Sequence, residues 1–328
     1  MTMPNIVQNP EAAPPMPPPM TVPRMPNFMI IGAGKGGTTS LYYYLGQHPD
    51  VFMSTPKEAK FFAYEGETVV FTGPRDKEKN EGLITTLEGY QALFRAVSTE
   101  KAVGEASPHY LYVPKACERI KHHVPDAMLF AVLRDPVDRA YSSFLHLIRD
   151  GREPIKDFAK ALKQEDHRIR DGYAPVWSYR TMGLYFAQLK RYFDTFDRRQ
   201  VHVYLYEDLK ADPVGLTQKI FRVLGVDDSF VPDTTIRYNT SFVPRSRRLY
   251  EFLQKSSVER VVSARVPGAW RIFQELRRRN QVRPQCPPEV RRDLLRVFRD
   301  DILKTQDLIQ RDLSAWLREA VPASRSRS

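Results

Sequence analysis

Hydrophobic residues follow two rhythms along this chain. Short, wholly apolar runs occur at Phe28–Ile31, Val51–Met53, Ala102–Gly104, Met128–Leu133 and Val201–Tyr206. Their lack of in-out alternation predicts strands buried on both faces. Between them lie longer stretches with apolar residues three or four positions apart, predicting helices at Thr39–Gly46, where Leu41, Tyr44 and Leu45 recur, at Arg180–Phe196 and at Leu209–Leu224. Strands of this kind separated by helices imply an α/β fold: a parallel sheet flanked by helices on both sides. The last third is helical and Arg-rich. Val290, Leu294, Val297, Phe298, Ile302, Ile309, Leu313 and Trp316 predict one amphipathic helix across 288–317, docked on the domain.

Composition narrows this picture. Residues 1–26 hold nine of the 26 prolines, which reads as a disordered leader with polyproline character. Order is expected from Asn27 to about residue 320, with 321–328 a flexible tail. With 42% hydrophobic and 27% charged residues over 328 positions, the remainder is an ordinary globular chain. The formal charge of +11 asks for anionic partners. Much of the excess is local, since Arg265–Arg299 carries ten arginines against three acids. That tract lacks interleaved aromatics and any recognition motif, so no nucleic-acid partner is expected. Cys117 and Cys286 are the only cysteines, and no close-spaced Cys or His partner suggests a metal site. No apolar run approaches the roughly 20 residues of a membrane span. A cytoplasmic protein is the expectation.

The segment Gly32-Ala-Gly-Lys-Gly-Gly-Thr-Thr39 follows a predicted strand and opens a predicted helix, where backbone N–H groups and the helix dipole favour an anion. Three readings compete. Gly32, Gly34 and Gly37 satisfy the dinucleotide fingerprint, but the acid it needs about twenty residues later would be Glu58, in a poor strand end. A P-loop wants Lys directly after its last Gly, whereas here Thr38 follows Gly37 and Lys35 lies inside the loop. Asp135 imitates the metal-binding Asp of such enzymes only superficially, between Arg134 and Pro136. In the third reading, Lys35-Gly-Gly-Thr-Thr-Ser-Leu41 resembles the 5′-phosphosulfate loop of sulfotransferases that use 3′-phosphoadenosine 5′-phosphosulfate (PAPS). Leu133-Arg-Asp-Pro-Val-Asp-Arg-Ala-Tyr-Ser-Ser143 resembles that family's 3′-phosphate motif, with Arg134 at a strand end and Ser142 eight residues on. Gln47–Asp50, Glu58–Phe62, Gly104–Pro108, Glu207–Pro213 and Arg311–Trp316 also look like carbohydrate-type and bacterial members.

The resemblance implies a P-loop-like sulfotransferase domain over 27–320 that binds PAPS as donor and PAP as product, without a metal. Lys35 would contact the oxygen bridging sulfuryl and phosphate, and Gly36 and Gly37 would let the backbone approach the donor. Thr38, Thr39 and Ser40 would add hydroxyls while capping the helix. Glu58 would be the base for the acceptor hydroxyl, although Lys57 and Lys60 would depress its pKa. Arg134 and Ser142 would hold the 3′-phosphate, with an ion pair from Arg134 to Asp135 or Asp138 as the bland alternative. Arg245, in Tyr238–Arg248, is a guess at a further phosphate ligand. The acceptor would be a carbohydrate or small molecule. The rival functions are a P-loop-like nucleotide kinase, marked by magnesium dependence, and a non-catalytic basic binding protein on the same fold.

Overall fold

The computed structural model describes residues 24–80, 82–236, 242–254, 275–282 and 284–319. Five strands, β1 (Phe28–Gly32), β2 (Val51–Met53), β3 (Ala102–Ala106), β4 (Met128–Leu133) and β5 (Val201–Leu205), form an all-parallel sheet in the order β2-β3-β1-β4-β5. Six helices matter for the layers and the site: α1 (Thr38–Leu45), α2 (Pro114–His123), α3 (Pro136–Arg149), α4 (Tyr185–Thr195), α5 (Pro213–Leu224) and α6 (Pro288–Ile309).

The apolar runs are central strands because every residue of Phe28–Ile31 and of Leu129–Leu133 is excluded from solvent. Their side chains alternate between two cores. Met29, Ile31, Leu129 and Leu133 meet Ile120 of α2, Leu147 of α3, Leu189 of α4 and Phe298 of α6, whereas Phe28, Ile30, Phe130 and Val132 meet Leu41 and Leu45 of α1 and Ile220 and Phe221 of α5. Each such side chain stabilises the fold by about 1.5–3 kcal/mol on leaving water. Both sheet faces are therefore covered, as a parallel sheet requires.

Three predicted helices have different bounds. The segment 180–196 opens with a 3₁₀ turn, Thr181–Gly183, and the α-helix starts only at Tyr185. The cap explains this: the Asp301 carboxylate of α6 accepts from the N–H groups of Tyr185 and Phe186 at 2.7 and 3.2 Å. The segment 209–224 splits into Tyr206–Ala211 and α5, because Pro213 has no N–H to continue a helix and Asp212 caps Gly215 N. The last helix stops at Ile309, where Gln310 is left-handed (φ 52°) and the Gln306 side chain accepts from Leu313 N. Leu313 and Trp316 are still buried, as their spacing predicts, but from a loop and a 3₁₀ turn, Ser314–Leu317.

The described residues begin at Arg24, before Asn27. Pro26 is buried, Met25 packs on the core and Arg24 donates to the Glu100 carbonyl. The rest of the leader and the 321–328 tail lie outside the described residues. Among the described residues, no helix is long and apolar enough to cross a membrane.

From β1 the chain first adds β2 and β3 on one side and then β4 and β5 on the other, so the connections diverge at the carboxyl ends of β1 and β4. Such a switch point leaves a crevice that open α/β sheets use for ligands. Both sequence motifs begin there.

Candidate active site

A cleft of about 1760 Å³ opens at that end of the sheet. It is lined by Lys35, Gly37, Thr38, Thr39 and Ser40 from the first motif, by Arg134 and Ser142 from the second, and by Glu58 from the loop after β2. Residues up to 107 positions apart in the chain thus share one space.

The glycine loop is shaped by the protein around it. A Cβ on Gly36 would lie 2.1 Å from the Val132 carbonyl oxygen, and the Gly36 N–H already donates to Ala33 O at 2.9 Å. Gly36 therefore serves the approach of the loop to β4. It is not among the residues lining the cleft. Gly37 lines the cleft with φ 98°, a conformation open to glycine, and a Cβ there would lie 2.8 Å from Leu209 Cδ2. Gly37 is also the N-cap of α1, a residue with no side chain to cap the helix, and Thr38, Thr39 and Ser40 follow it as the first residues of the helix. The first N–H groups of a helix have no intrahelical partner, and here these residues line the cleft at the positive end of the helix dipole.

Lys35 stands at the crest of the loop with φ 70°. Burial, with Arg149 and Arg134 adding repulsion, brings its ammonium down to about 8. Asp150 and Glu58 offset that repulsion only in part, and a net excess of cations makes a site that a polyanion fits. Arg134 lies at the end of β4, donates to the Lys35 carbonyl at 3.4 Å and stacks 4.9 Å from the Tyr206 ring. Ser142 is buried on α3.

The ion pair weighed for Arg134 belongs to a different arginine. Arg291 of α6 reaches Asp135 Oδ2 at 2.5 Å and Asp138 Oδ1 at 2.9 Å, while Asp135 Oδ1 caps α3 through the N–H groups of Val137 and Asp138. Asp135 is thus a cap and an ion-pair partner. With both carboxylates bound to Arg291, the Arg134 charge is left facing the cleft. Arg291 gives part of the Arg-rich tract a structural role, whereas Arg278 and Arg279 share the half-exposed Glu275. Arg291→Met leaves a buried carboxylate unmatched and is expected to cost about 3 kcal/mol of stability in a denaturant titration. Arg278→Ala is expected to leave the midpoint unchanged. Equal effects of the two would remove this role from Arg291.

Glu58 sits in a turn with φ 66° and donates its N–H to Ala106 O at 3.1 Å. Its carboxylate is 37% exposed to the cleft and 2.8 Å from Lys57 Nζ. Burial opposes its ionisation, but Lys57, His109 and Lys60 outweigh that and hold it at about 2. The depression foreseen from Lys57 and Lys60 is present, and His109, also lining the cleft, adds to it.

Arg245 is exposed, its N–H donates to Asn280 O, and it is not among the residues lining the cleft. Residues 238–241 of the same proposed loop lie outside the described residues. The structure adds cleft residues that local pattern did not single out: His109, His146, Arg152, Tyr206 and Arg291. Tyr206 had a signal, since it closes the β5 run. Arg291 had none beyond membership of the basic tract. Among the described residues, no group of three His, Cys, Asp or Glu is arranged to hold a metal ion.

Comparison with known proteins bears on this arrangement. The family model described as "Sulfotransferase family" matches residues 26–230. The bifunctional heparan sulfate N-deacetylase/N-sulfotransferase 4 of Mus musculus is 28% identical over 216 residues, covering 63% of this chain and 23% of that protein. The membrane-associated sulfotransferase kil1 of Dictyostelium discoideum is 23% identical over 283 residues, covering 62% of this chain and 56% of that one. The chain therefore spans between about a quarter and just over half the length of these relatives. Among solved structures, a sulfotransferase from Alicyclobacillus acidocaldarius is 38% identical and covers 90% of this chain and 100% of its own, with a TM-score of 0.72. A family model over most of the folded residues and a solved relative matched along its whole length lead to one conclusion: the chain belongs to the sulfotransferase family.

Proposed function

We propose that the protein moves a sulfuryl group from PAPS to an acceptor hydroxyl by in-line transfer, within one sulfotransferase domain spanning residues 27–320. The observation that carries this reading is the convergence of two anion motifs at the ends of β1 and β4 on one cleft that also holds the Glu58 carboxylate. The residues suit a donor with phosphate groups at two positions: Lys35 and the N-terminus of α1 for one, Arg134 and Ser142 for the other.

PAPS, when bound, supplies the sulfuryl group and leaves as PAP. The residues of the chain supply the rest. Glu58 accepts the proton that the acceptor hydroxyl loses, and Lys35 stabilises the negative charge growing on the departing oxygen. Arg134 and Ser142 hold the 3′-phosphate, so the reaction is driven mainly by positioning and charge stabilisation. At about 1760 Å³ the cleft exceeds the roughly 300–1,000 Å³ of a single small-ligand pocket, leaving room for a carbohydrate or small-molecule acceptor beside the donor. A cytoplasmic location is part of the proposal, supported by only two cysteines in 328 residues.

Calorimetric titration tests the donor. PAP is expected to bind about 10–100-fold more tightly than 5′-AMP, which lacks only the 3′-phosphate, since charge-assisted hydrogen bonds contribute about 1.5–3 kcal/mol. ATP is expected to bind more weakly than PAP. A preference for ATP, or no binding of either, would overturn the assignment.

A further inference from the structure

We propose that Glu105 and Ser107 are positioning residues for the transfer: from β3 they hold the turn that presents Glu58 to the cleft. The proposal rests on the reading of Glu58 as the base, and neither residue touches the reacting groups.

The turn Glu58–Lys60 is anchored at both ends. At its start, the Glu58 N–H donates to the Ala106 carbonyl at 3.1 Å. At its end, the Lys60 N–H donates to Ser107 Oγ at 2.9 Å, and the Ser107 hydroxyl in turn donates to Glu105 Oε1 at 2.5 Å. A hydroxyl carries one proton and rotates freely unless that proton has an acceptor. Glu105 supplies the acceptor, which turns a lone pair of Ser107 toward Lys60. The backbone it holds does not hold itself: Glu58 and Lys60 both have left-handed φ, 66° and 58°, which residues with a Cβ keep only where their surroundings impose it. The tie continues into the core, because Lys60 precedes the helical turn Phe61–Tyr64, whose Phe61 and Phe62 are fully buried.

Glu105 as ordinary core packing explains these facts less well. Its side chain is wholly buried beside Tyr90 and Tyr110, and its second oxygen, Oε2, has no partner in hydrogen-bond geometry. A carboxyl in such a place is costly, and an apolar residue would fill it at lower cost. Burial pushes the carboxyl up to about 7, partly offset by its hydrogen bonds and by Lys57, while the Glu58 carboxylate raises it further. Near neutral pH the neutral acid is thus populated alongside the carboxylate, and glutamine reproduces its shape and its acceptor.

The test uses the full chain with Ser107→Ala, Glu105→Ala and Glu105→Gln, reading amide hydrogen exchange at Lys60, PAP affinity by calorimetry, and PAP release from PAPS with water as the acceptor of the sulfuryl group. In Ser107→Ala and Glu105→Ala, exchange at Lys60 is expected to accelerate about tenfold or more and PAP release to slow by about the same factor, with PAP affinity nearly unchanged, as for a support that orients a reacting group. Glu105→Gln is expected to stay near the parent in all three readings. Should Glu105→Ala fail to fold, Ser107→Ala and Glu105→Gln still decide. Unchanged exchange and release in Ser107→Ala, or a Glu105→Gln variant as impaired as Ser107→Ala, would overturn the proposal. An unmodified chain that binds no PAP would instead refute the donor reading beneath it.

Discussion

Glu58→Gln is expected to lower turnover by about 10²–10⁴-fold while leaving PAP affinity nearly intact. The substitution keeps the size of the side chain and removes only its ability to take a proton. Because Lys57, His109 and Lys60 hold the carboxylate at about 2, it is fully ionised in the empty cleft at any working pH. Its contribution to stability is present above the ordinary glutamate pKa and lost as pH falls through about 2, so no loss from this group is expected between pH 5 and 8. A base with so low a pKa is weak, and donor phosphates drawing on Lys57 and Lys60 would raise it on binding. Full activity in Glu58→Gln would remove this residue from the mechanism.

The second large effect is at Lys35. Lys35→Met is expected to reduce turnover by about 10²–10³-fold, the range seen when a single stabilising group is lost at a developing charge. The empty Lys35→Met protein is expected to melt higher than the parent, since the change removes a desolvated cation repelled by Arg149 and Arg134. The pH dependence separates charge from shape. With the lysine at about 8, kcat/KM for PAPS is expected to fall as pH rises through that value, because the ammonium form is the one required. At saturating donor the limb should move upward, since bound anionic charge favours the protonated form. Lys35→Arg should abolish the limb, as a guanidinium stays charged throughout. An alkaline limb near 8 that survives in Lys35→Arg would show that another group titrates.

Much of the site was legible because its two anion motifs are local. Lys35 to Ser40 and Arg134 to Ser142 each lie within one strand-to-helix connection, so the order of residues along the chain is nearly their order in space. The packing of the glycine loop was not legible for the opposite reason. What Gly36 approaches is the carbonyl of Val132, almost a hundred residues later, and no spacing within the loop encodes that contact. Arg245 was placed by its position in a basic loop, which says nothing of where the loop packs. One helix bound failed because its cap came from elsewhere in the chain, as Asp301 does for α4.

By itself, the sequence determined that this chain is an α/β protein with apolar strands buried on both faces, and that two segments at strand ends carry the pattern of phosphate-like anion sites. Both follow from short-range rules: burial demands apolar runs, and a helix N-terminus behind a glycine loop favours negative charge. Tertiary structure decided which charges remain available. Arg291 takes up Asp135 and Asp138 and so leaves Arg134 to the cleft, and Ser107 and Glu105 hold the left-handed turn beneath Glu58. Ion pairs and hydrogen bonds between residues 47 to 156 positions apart depend on how the layers pack. The net charge of +11 pointed to an anion, and the packing determines which few of those cations meet it.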